Sequence, residues 1–214
     1  YVLAMQLGVG WRKRLLVVKH YLIAGGIVQG THKLGFGGHF VALRPLQHIT
    51  GTAAFRSLEL SVGPGVFVPR PETEQVVQYA IDYLRQLPTP GVAIDLGTGS
   101  GAIAIAMAKE VPQAKVFAVE LSEEAHAYAA KNIVANGVSV ELRLGAMQEV
   151  VSDLVGSLDV VISNPPYIPN AAIPIDPEVR NYDPELALYG GEDGLDVIRD
   201  IAGQTNLLAL NAAI

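Results

Sequence analysis

The sequence holds no cysteine among its 214 residues, which excludes disulfides and thiolate metal sites and makes the reducing cytoplasm the expected compartment. Positive charge is also scarce. Lysine and arginine total 15 against 21 acidic residues, a formal net charge of −6, so there is no overall basic footprint for a nucleic-acid backbone and no stable nucleic-acid binding is expected. No apolar run suits a bilayer: the best stretch, 15–28, is short and carries Lys19 and His20, so no membrane association is expected. No clear small-residue signal cleavage site, internal repeat or metal-ligand spacing is present, and the expected metal content is none. What is abundant is apolar content. With 50% hydrophobic residues and a mean hydropathy of +0.32, the chain can bury the core of one medium domain.

Residues 1–43 are glycine-rich, with Gly25, Gly26, Gly35, Gly37 and Gly38, and show no sustained period. Order sharpens further on. Val76, Val77, Ala80, Tyr83, Leu84 and Leu87 recur at helical spacing, and Pro88 ends the run. A strand is expected over 92–96, a helix over 101–110 and a second strand over 115–120. Ser122 is placed to cap the next helix, with Glu123 and Glu124 in its first turn and Gly137 just past its end. Two further strands are expected over 138–144 and 158–163. Strands alternating with helices imply an α/β fold: a mostly parallel sheet with helices on both faces, whose ligands bind at the strands' carboxyl ends.

The first chemical signal is DLGTGSG at 95–101, between a strand and a helix. Gly97, Gly99 and Gly101 permit a tight turn and close approach of backbone to a ligand, and the following helix offers free N–H groups. Glu120 closes the next strand, where a carboxylate can accept hydrogen bonds from both hydroxyls of a ribose. A plain glycine turn beside a solvated acid is the bland alternative, which the strand-turn-helix context disfavours. Gly97, Gly99 and Ala102 also satisfy the dinucleotide fingerprint, so the glycines alone leave a nicotinamide dehydrogenase open. The stretch 95–101 followed by Glu120 resembles the first two motifs of class I S-adenosylmethionine-dependent methyltransferases, a Rossmann-like fold. In that family the first acid lies near the methionine end of the cofactor and the second holds the ribose.

The second signal is NPPY at 164–167, directly after the last expected strand. An amide or aromatic amine nitrogen is a poor nucleophile because its lone pair is delocalised, so a site that methylates it should hold its N–H groups with acceptors. Asn164 supplies a side-chain oxygen and Pro165 a carbonyl, while the two prolines stiffen the turn. Tyr167 can lay its ring against a planar group and sense developing positive charge. Ordinary packing beside a proline turn is the alternative reading of these residues. Together with the glycine turn, the combination resembles enzymes that methylate planar NH2 groups: glutamine side chains in proteins, or adenine N6 in nucleic acids.

A third stretch separates those substrates. PLQHITG at 45–51, PGVFVPRPETE at 64–74 and ALYGGEDGL at 187–195 resemble the peptide-chain release-factor N5-glutamine methyltransferases, the HemK/PrmC family, over about 44–201. PRPETE combined with NPPY is the specific feature. The resemblance implies methylation of the GGQ-motif glutamine in class 1 release factors, with S-adenosylmethionine as cofactor and S-adenosylhomocysteine as product. It implies that Asp95, Gly97, Thr98, Gly99, Gly101, Glu120, Leu121, Ala146, Met147 and Asn164 line the cofactor. Asn164, Pro165 and Tyr167 are the expected catalytic residues, and these with Pro166, Arg70 and Glu72 are expected at the substrate. An adenine-N6 methyltransferase and a non-catalytic cofactor-binding module are the alternatives. PRPETE also reads as a plain helix entry in which Thr73 caps. His48, Glu192 and Asp193 read as structural polar groups. The chain departs from the family in two places. At the position where an acid commonly faces the adenine amino group it has Gly145, Ala146 and Met147, with Gln148 or a backbone carbonyl as the expected substitute. Residues 1–43 do not read as the family's helical substrate domain. The expected organisation is therefore an atypical N-terminal segment over 1–43, with a remnant of a substrate-binding domain as one reading. A linker hairpin over 44–73 and a methyltransferase domain over 74–214, incomplete at its C-terminal end, complete it.

Overall fold

A computed structural model describes residues 2–5, 14–18 and 45–210, with side chains from 45 to 205. In chain order the elements are β1 (Val2–Met5), β2 (Arg14–Val18), α1 (Leu46–Thr50), β3 (Thr52–Phe55), β4 (Leu58–Ser61), α2 (Pro71–Gln86), β5 (Val92–Leu96) and α3 (Ala102–Glu110). There follow β6 (Lys115–Glu120), α4 (Glu123–Asn136), β7 (Val140–Leu144), α5 (Met147–Val150), β8 (Val160–Ser163), α6 (Pro177–Tyr182), α7 (Glu185–Leu188) and α8 (Asp196–Leu210). The main sheet has the order β1-β2-β8-β5-β6-β7. All its pairings are parallel except β1 with β2. The rest of 1–43 lies outside the described residues, and so do 211–214.

The central strands are buried on both faces, and their side chains alternate between two apolar layers with period two. Ala93, Val116, Ala118, Val160 and Ile162 pack with α2 and α3. Ile94, Leu96, Phe117, Val119 and Val161 pack on the other side with Val151, Leu154 and Ile201. α3 is buried at every position from Ala102 to Ala108, because it lies in the first of these layers rather than at the surface. No helix among the described residues is long and apolar enough to cross a membrane.

The 45–73 region joins this body rather than standing apart from it. β3 and β4 form an antiparallel hairpin whose Phe55, Leu58 and Leu60 enter the same apolar layer as α2 and α3. Arg56, at the tip, adopts φ 52°, and its guanidinium bonds both oxygens of Glu110 and the side chain of Gln78. At the other end, Asn132 of α4 is fully buried. Its Oδ1 accepts the Ser61 N–H at 2.7 Å, and its Nδ2 donates to the carbonyls of Ser61 at 3.0 Å and Ser100 at 2.9 Å. One amide thus ties the hairpin, α4 and the glycine turn together.

Local signals explain most helix ends. Pro71 occupies the first turn of α2, Glu72 and Glu74 sit where the helix dipole favours acids, and Arg70 takes the capping position in extended backbone. The capping role expected of Thr73 is not found: it lies inside the first turn, buried. Ser122 caps α4 by accepting the Ala125 N–H, and Gly137 closes that helix at φ 64°. The strands expected from 138 and from 158 begin at Val140 and Val160.

Replacing Asn132 with leucine should leave the Ser61 N–H and the Ser61 and Ser100 carbonyls without this partner. A loss of about 2 kcal/mol or more is expected. Urea unfolding monitored by circular dichroism measures it; an unchanged midpoint would show that the hairpin docks without the amide.

Candidate active site

The order of the sheet fixes where a site can form. From β5 the chain winds outward through β6 to β7, then returns to the opposite side of β5 as β8. Ligands in such sheets bind where the winding reverses, outside the carboxyl ends of the two central strands. In the β5–β8 ladder Leu96 pairs with Ser163, and the Ser163 hydroxyl donates to the Leu96 carbonyl at 2.6 Å. The next residues on the two strands are Gly97 and Asn164. The glycine turn and the NPPY turn therefore leave the sheet side by side.

In the first turn the N–H groups of Gly97 and Thr98 donate to the Val119 carbonyl, at 2.9 and 3.0 Å. Gly97 and Gly99 have φ of 71° and 58°, and a Cβ on either would meet nothing within 4 Å. Glycine is thus required by backbone conformation, and open space faces the turn. Gly101 differs. At φ 85° its Cβ would meet Ile105 and Ala129, so it allows α3 and α4 to approach and does not itself face open space.

Two carboxylates flank the turn. Asp95 is completely buried, and its Oδ2 accepts the Thr98 hydroxyl at 2.5 Å. Its Oδ1 makes no close hydrogen bond among the described residues. Burial pushes the Asp95 carboxyl up to about 7; Thr98 opposes the shift, Glu120 adds to it, and the Ala104 amide also favours the charged form. Glu120 Oε2 accepts the Gly99 N–H at 2.7 Å, while Oε1 accepts those of Leu121 and Ser122, each at 2.9 Å. Three of about four acceptor positions are taken. With the turn as it stands, Glu120 has room for one further donor, and receiving both hydroxyls of a ribose requires release of one of these three amides.

The Gly145 N–H donates to the Glu120 carbonyl at 2.9 Å, which draws the start of the 145–147 segment beside that acid. Gln148 points elsewhere, donating to Asp200 at 3.1 Å.

At the second turn, Asn164 Oδ1 is buried and has no hydrogen-bond partner among the described residues. Pro165 is buried, and Pro166 and Tyr167 are half-buried. Burial raises the Tyr167 phenol above its ordinary value, Arg70 opposes the shift and Glu72 adds to it. Arg70 and Glu72 of the PRPETE stretch are thus close enough to act electrostatically on Tyr167. Glu74 does not join them: its side chain accepts the Arg56 N–H at the hairpin tip. Arg70 also bonds Asp183 at 2.8 Å and lies 4.9 Å from the Phe67 ring. Asp183 escapes sequence reasoning because its partner lies more than a hundred residues away; the acid before proline in NYDPE was the available signal. His48 meets the Tyr182 ring edge-on at 6.2 Å, and Asp193 pairs with Arg199. No group of three or more potential metal ligands occurs among the described residues.

A parallel sheet with its switch point between a glycine turn and a proline-stiffened turn defines a Rossmann-like methyltransferase fold. The hMettl16 catalytic domain in complex with MAT2A 3'UTR hairpin 6 shares that fold, with a TM-score of 0.53 and 19% identity over 68% of this chain and 56% of that one. The family described as "Methyltransferase small domain" matches residues 59–175, more than half the sequence, and the chain belongs to it. It is 56% identical to a release factor glutamine methyltransferase of Streptomyces coelicolor over 162 residues, 75% of this chain and 57% of the relative. It is 50% identical to one of Mycolicibacterium smegmatis over 167 residues, 76% of this chain and 58% of the relative. The chain thus spans little more than half the length of these relatives.

The raised Asp95 carboxyl carries a pH signature. Between about pH 4 and 7 the folded chain keeps a proton that the unfolded chain has released, so this group's contribution to stability falls as pH rises through that window. Asp95→Asn should therefore unfold at a higher temperature than the parent at pH 8, with the gain shrinking towards pH 4. Melting curves across that range test the sign; an equal gain at both ends would place the ionisation elsewhere.

Proposed function

We propose that the chain transfers a methyl group from S-adenosylmethionine to the side-chain amide nitrogen of the GGQ glutamine in class 1 peptide-chain release factors. The observation that carries this reading is the buried, unbonded Oδ1 of Asn164, held beside the glycine turn by the Leu96–Ser163 pairing. An acceptor kept from water without a partner is costly, and a substrate N–H relieves that cost. The names of the relatives favour glutamine as the source of that N–H.

The residues around the first turn fit the cofactor. Gly97 and Gly99 leave space for it, Asp95 and Glu120 offer acceptors, and Thr98, Leu121, Ala146, Met147 and Asn164 complete the lining, while Gly101, expected there from sequence, instead lets α3 and α4 approach behind the turn. When bound, it supplies an electrophilic methyl group on a cationic sulfonium. Asp95 holds negative charge near that cation once ionised, and the remaining acceptor position on Glu120 takes a ribose hydroxyl.

On the acceptor side, Asn164 Oδ1 and the Pro165 carbonyl take the two N–H groups of the glutamine amide. This fixes the amide plane and raises electron density on a nitrogen that delocalisation otherwise makes a weak nucleophile. Pro165 and Pro166 limit the turn to one geometry, so orientation is set before the substrate arrives. Tyr167 stays protonated and lays its ring against the amide, with Arg70 and Glu72 at its margin. The displaced proton passes to solvent. In this reading 74–214 carry the chemistry, 44–73 form the linker hairpin, and a release-factor substrate places the reaction in the cytoplasm.

Variants of Asn164 test the assignment in single-turnover transfer to a class 1 release factor. Asn164→Ala should bind cofactor normally yet transfer about 10²-fold more slowly, the scale of losing one preorganised polar contact. Asn164→Asp can still accept an N–H, but its charge stabilises the cationic ground state, so it should bind cofactor at least as tightly and still react slowly. Parental rates in both would make Asn164 a turn residue only.

A further inference from the structure

The NPPY turn does not stand alone. The Ile168 N–H donates to the Leu188 carbonyl and the Gly190 N–H to the Ile168 carbonyl, both at 2.9 Å, forming a parallel bridge between Ile168 and Tyr189. The Asn170 N–H donates to the Gly191 carbonyl, again at 2.9 Å. The Gly190 carbonyl in turn accepts the Asp196 N–H at the start of α8. A second strip of backbone, 188–194, is thus laced along the exit of NPPY and anchored to a helix.

Two glycines set how closely that strip approaches. A Cβ on Gly190 would stand 2.6 Å from the Pro166 carbonyl oxygen and 2.8 Å from that of Gly194. A Cβ on Gly194, where φ is +76°, would collide with the Tyr167 carbonyl oxygen. None of the three obstacles is a flexible side chain. All are backbone of the acceptor-holding turn or of the strip itself, so a methyl group at either position must push backbone apart.

We propose that the 188–194 strip is the positioning element of the NPPY turn and that Gly190 and Gly194 are its positioning residues. Their missing side chains let backbone press on the Pro166 and Tyr167 carbonyls, and this fixes where Asn164 and Pro165 present their acceptors. The inference rests on the reading of NPPY as the turn that holds the substrate amide. It assigns a role in the reaction to residues that touch neither substrate nor cofactor.

Gly190→Ala is the sharper variant, because Gly190 is not in the left-handed region and the change acts through the contact alone. Gly203→Ala is the control: Gly203 lies in α8, and its Cβ would meet nothing within 4 Å. Gly190→Ala should leave S-adenosylmethionine affinity unchanged in calorimetry and lower kcat for release-factor methylation by about 10- to 100-fold, as misplaced reacting groups do. Gly203→Ala should change neither. The Asn164 side-chain amide resonance in nitrogen-15 NMR reports the turn directly, whatever the acceptor is: it should move in Gly190→Ala and stay in Gly203→Ala. A moved resonance with no release-factor methylation by the parent would uphold the positioning role and remove the substrate reading. An unmoved resonance, or a parental kcat in Gly190→Ala, would overturn the positioning role. Should Gly190→Ala fail to fold, hydrogen exchange in the parent decides. The amides of Ile168, Asn170 and Gly190 should share one protection level, and free exchange at Ile168 or Asn170 would refute a single laced unit.

Discussion

Pairing of Leu96 with Ser163 is the contact on which the rest of the site depends. Parallel strands a few ångströms apart have their carboxyl ends at one level only if the register is right, and here hydrogen bonding of the Ser163 hydroxyl to the Leu96 carbonyl reinforces it. A slip of one residue would turn Ile162 and Val161 to the wrong apolar layers and carry Asn164 away from Gly97. Burial on both faces thus enforces the same register that the chemistry requires. Core packing sets where the two turns leave the sheet, and the loops around them act on that frame.

Polar groups in the protein fall into two kinds once that frame is fixed. Those that hold elements together are satisfied: Asn132 through three hydrogen bonds, Arg56 through Glu110 and Gln78, Asp183 through Arg70. Two at the switch point are not. Asp95 Oδ1 and Asn164 Oδ1, on the adjacent central strands, are both buried acceptors without a close partner among the described residues. Native proteins seldom leave buried acceptors unmet, and where they do, the unmet capacity is a functional signal. Thr73 Oγ1 is also unbonded, and nothing in the structure explains it.

Local patterns made much of this legible in the sequence. The strands 92–96 and 115–120 have the bounds that apolar runs between turn signals imply, and the Ser122 cap and Gly137 stop follow from backbone chemistry that acts within one helical turn. The glycine and NPPY turns were visible for the same reason. Sequence did not disclose Asn132, whose partners lie 32 and 71 residues away, or the Arg56 and Arg70 pairings, because such contacts exist only after the sheet has brought distant segments together. Thr73 misled because a capping residue type stood one turn too late, with Pro71 already inside the helix. The Gly99 bond that Glu120 already accepts was equally invisible, since it depends on how the glycine turn folds back on that acid from 21 residues away.

The claim that the switch point holds a primary amide meets its most direct measurement in parallel transfer of labelled methyl from S-adenosylmethionine. The acceptors are a class 1 release factor, the same factor with its GGQ glutamine replaced by glutamate, and adenine-containing DNA and RNA. A glutamate side chain lacks both N–H groups, so label should enter the unaltered factor alone. Label in the oligonucleotides with none in the release factor, or equal label in both forms of the factor, would contradict the account.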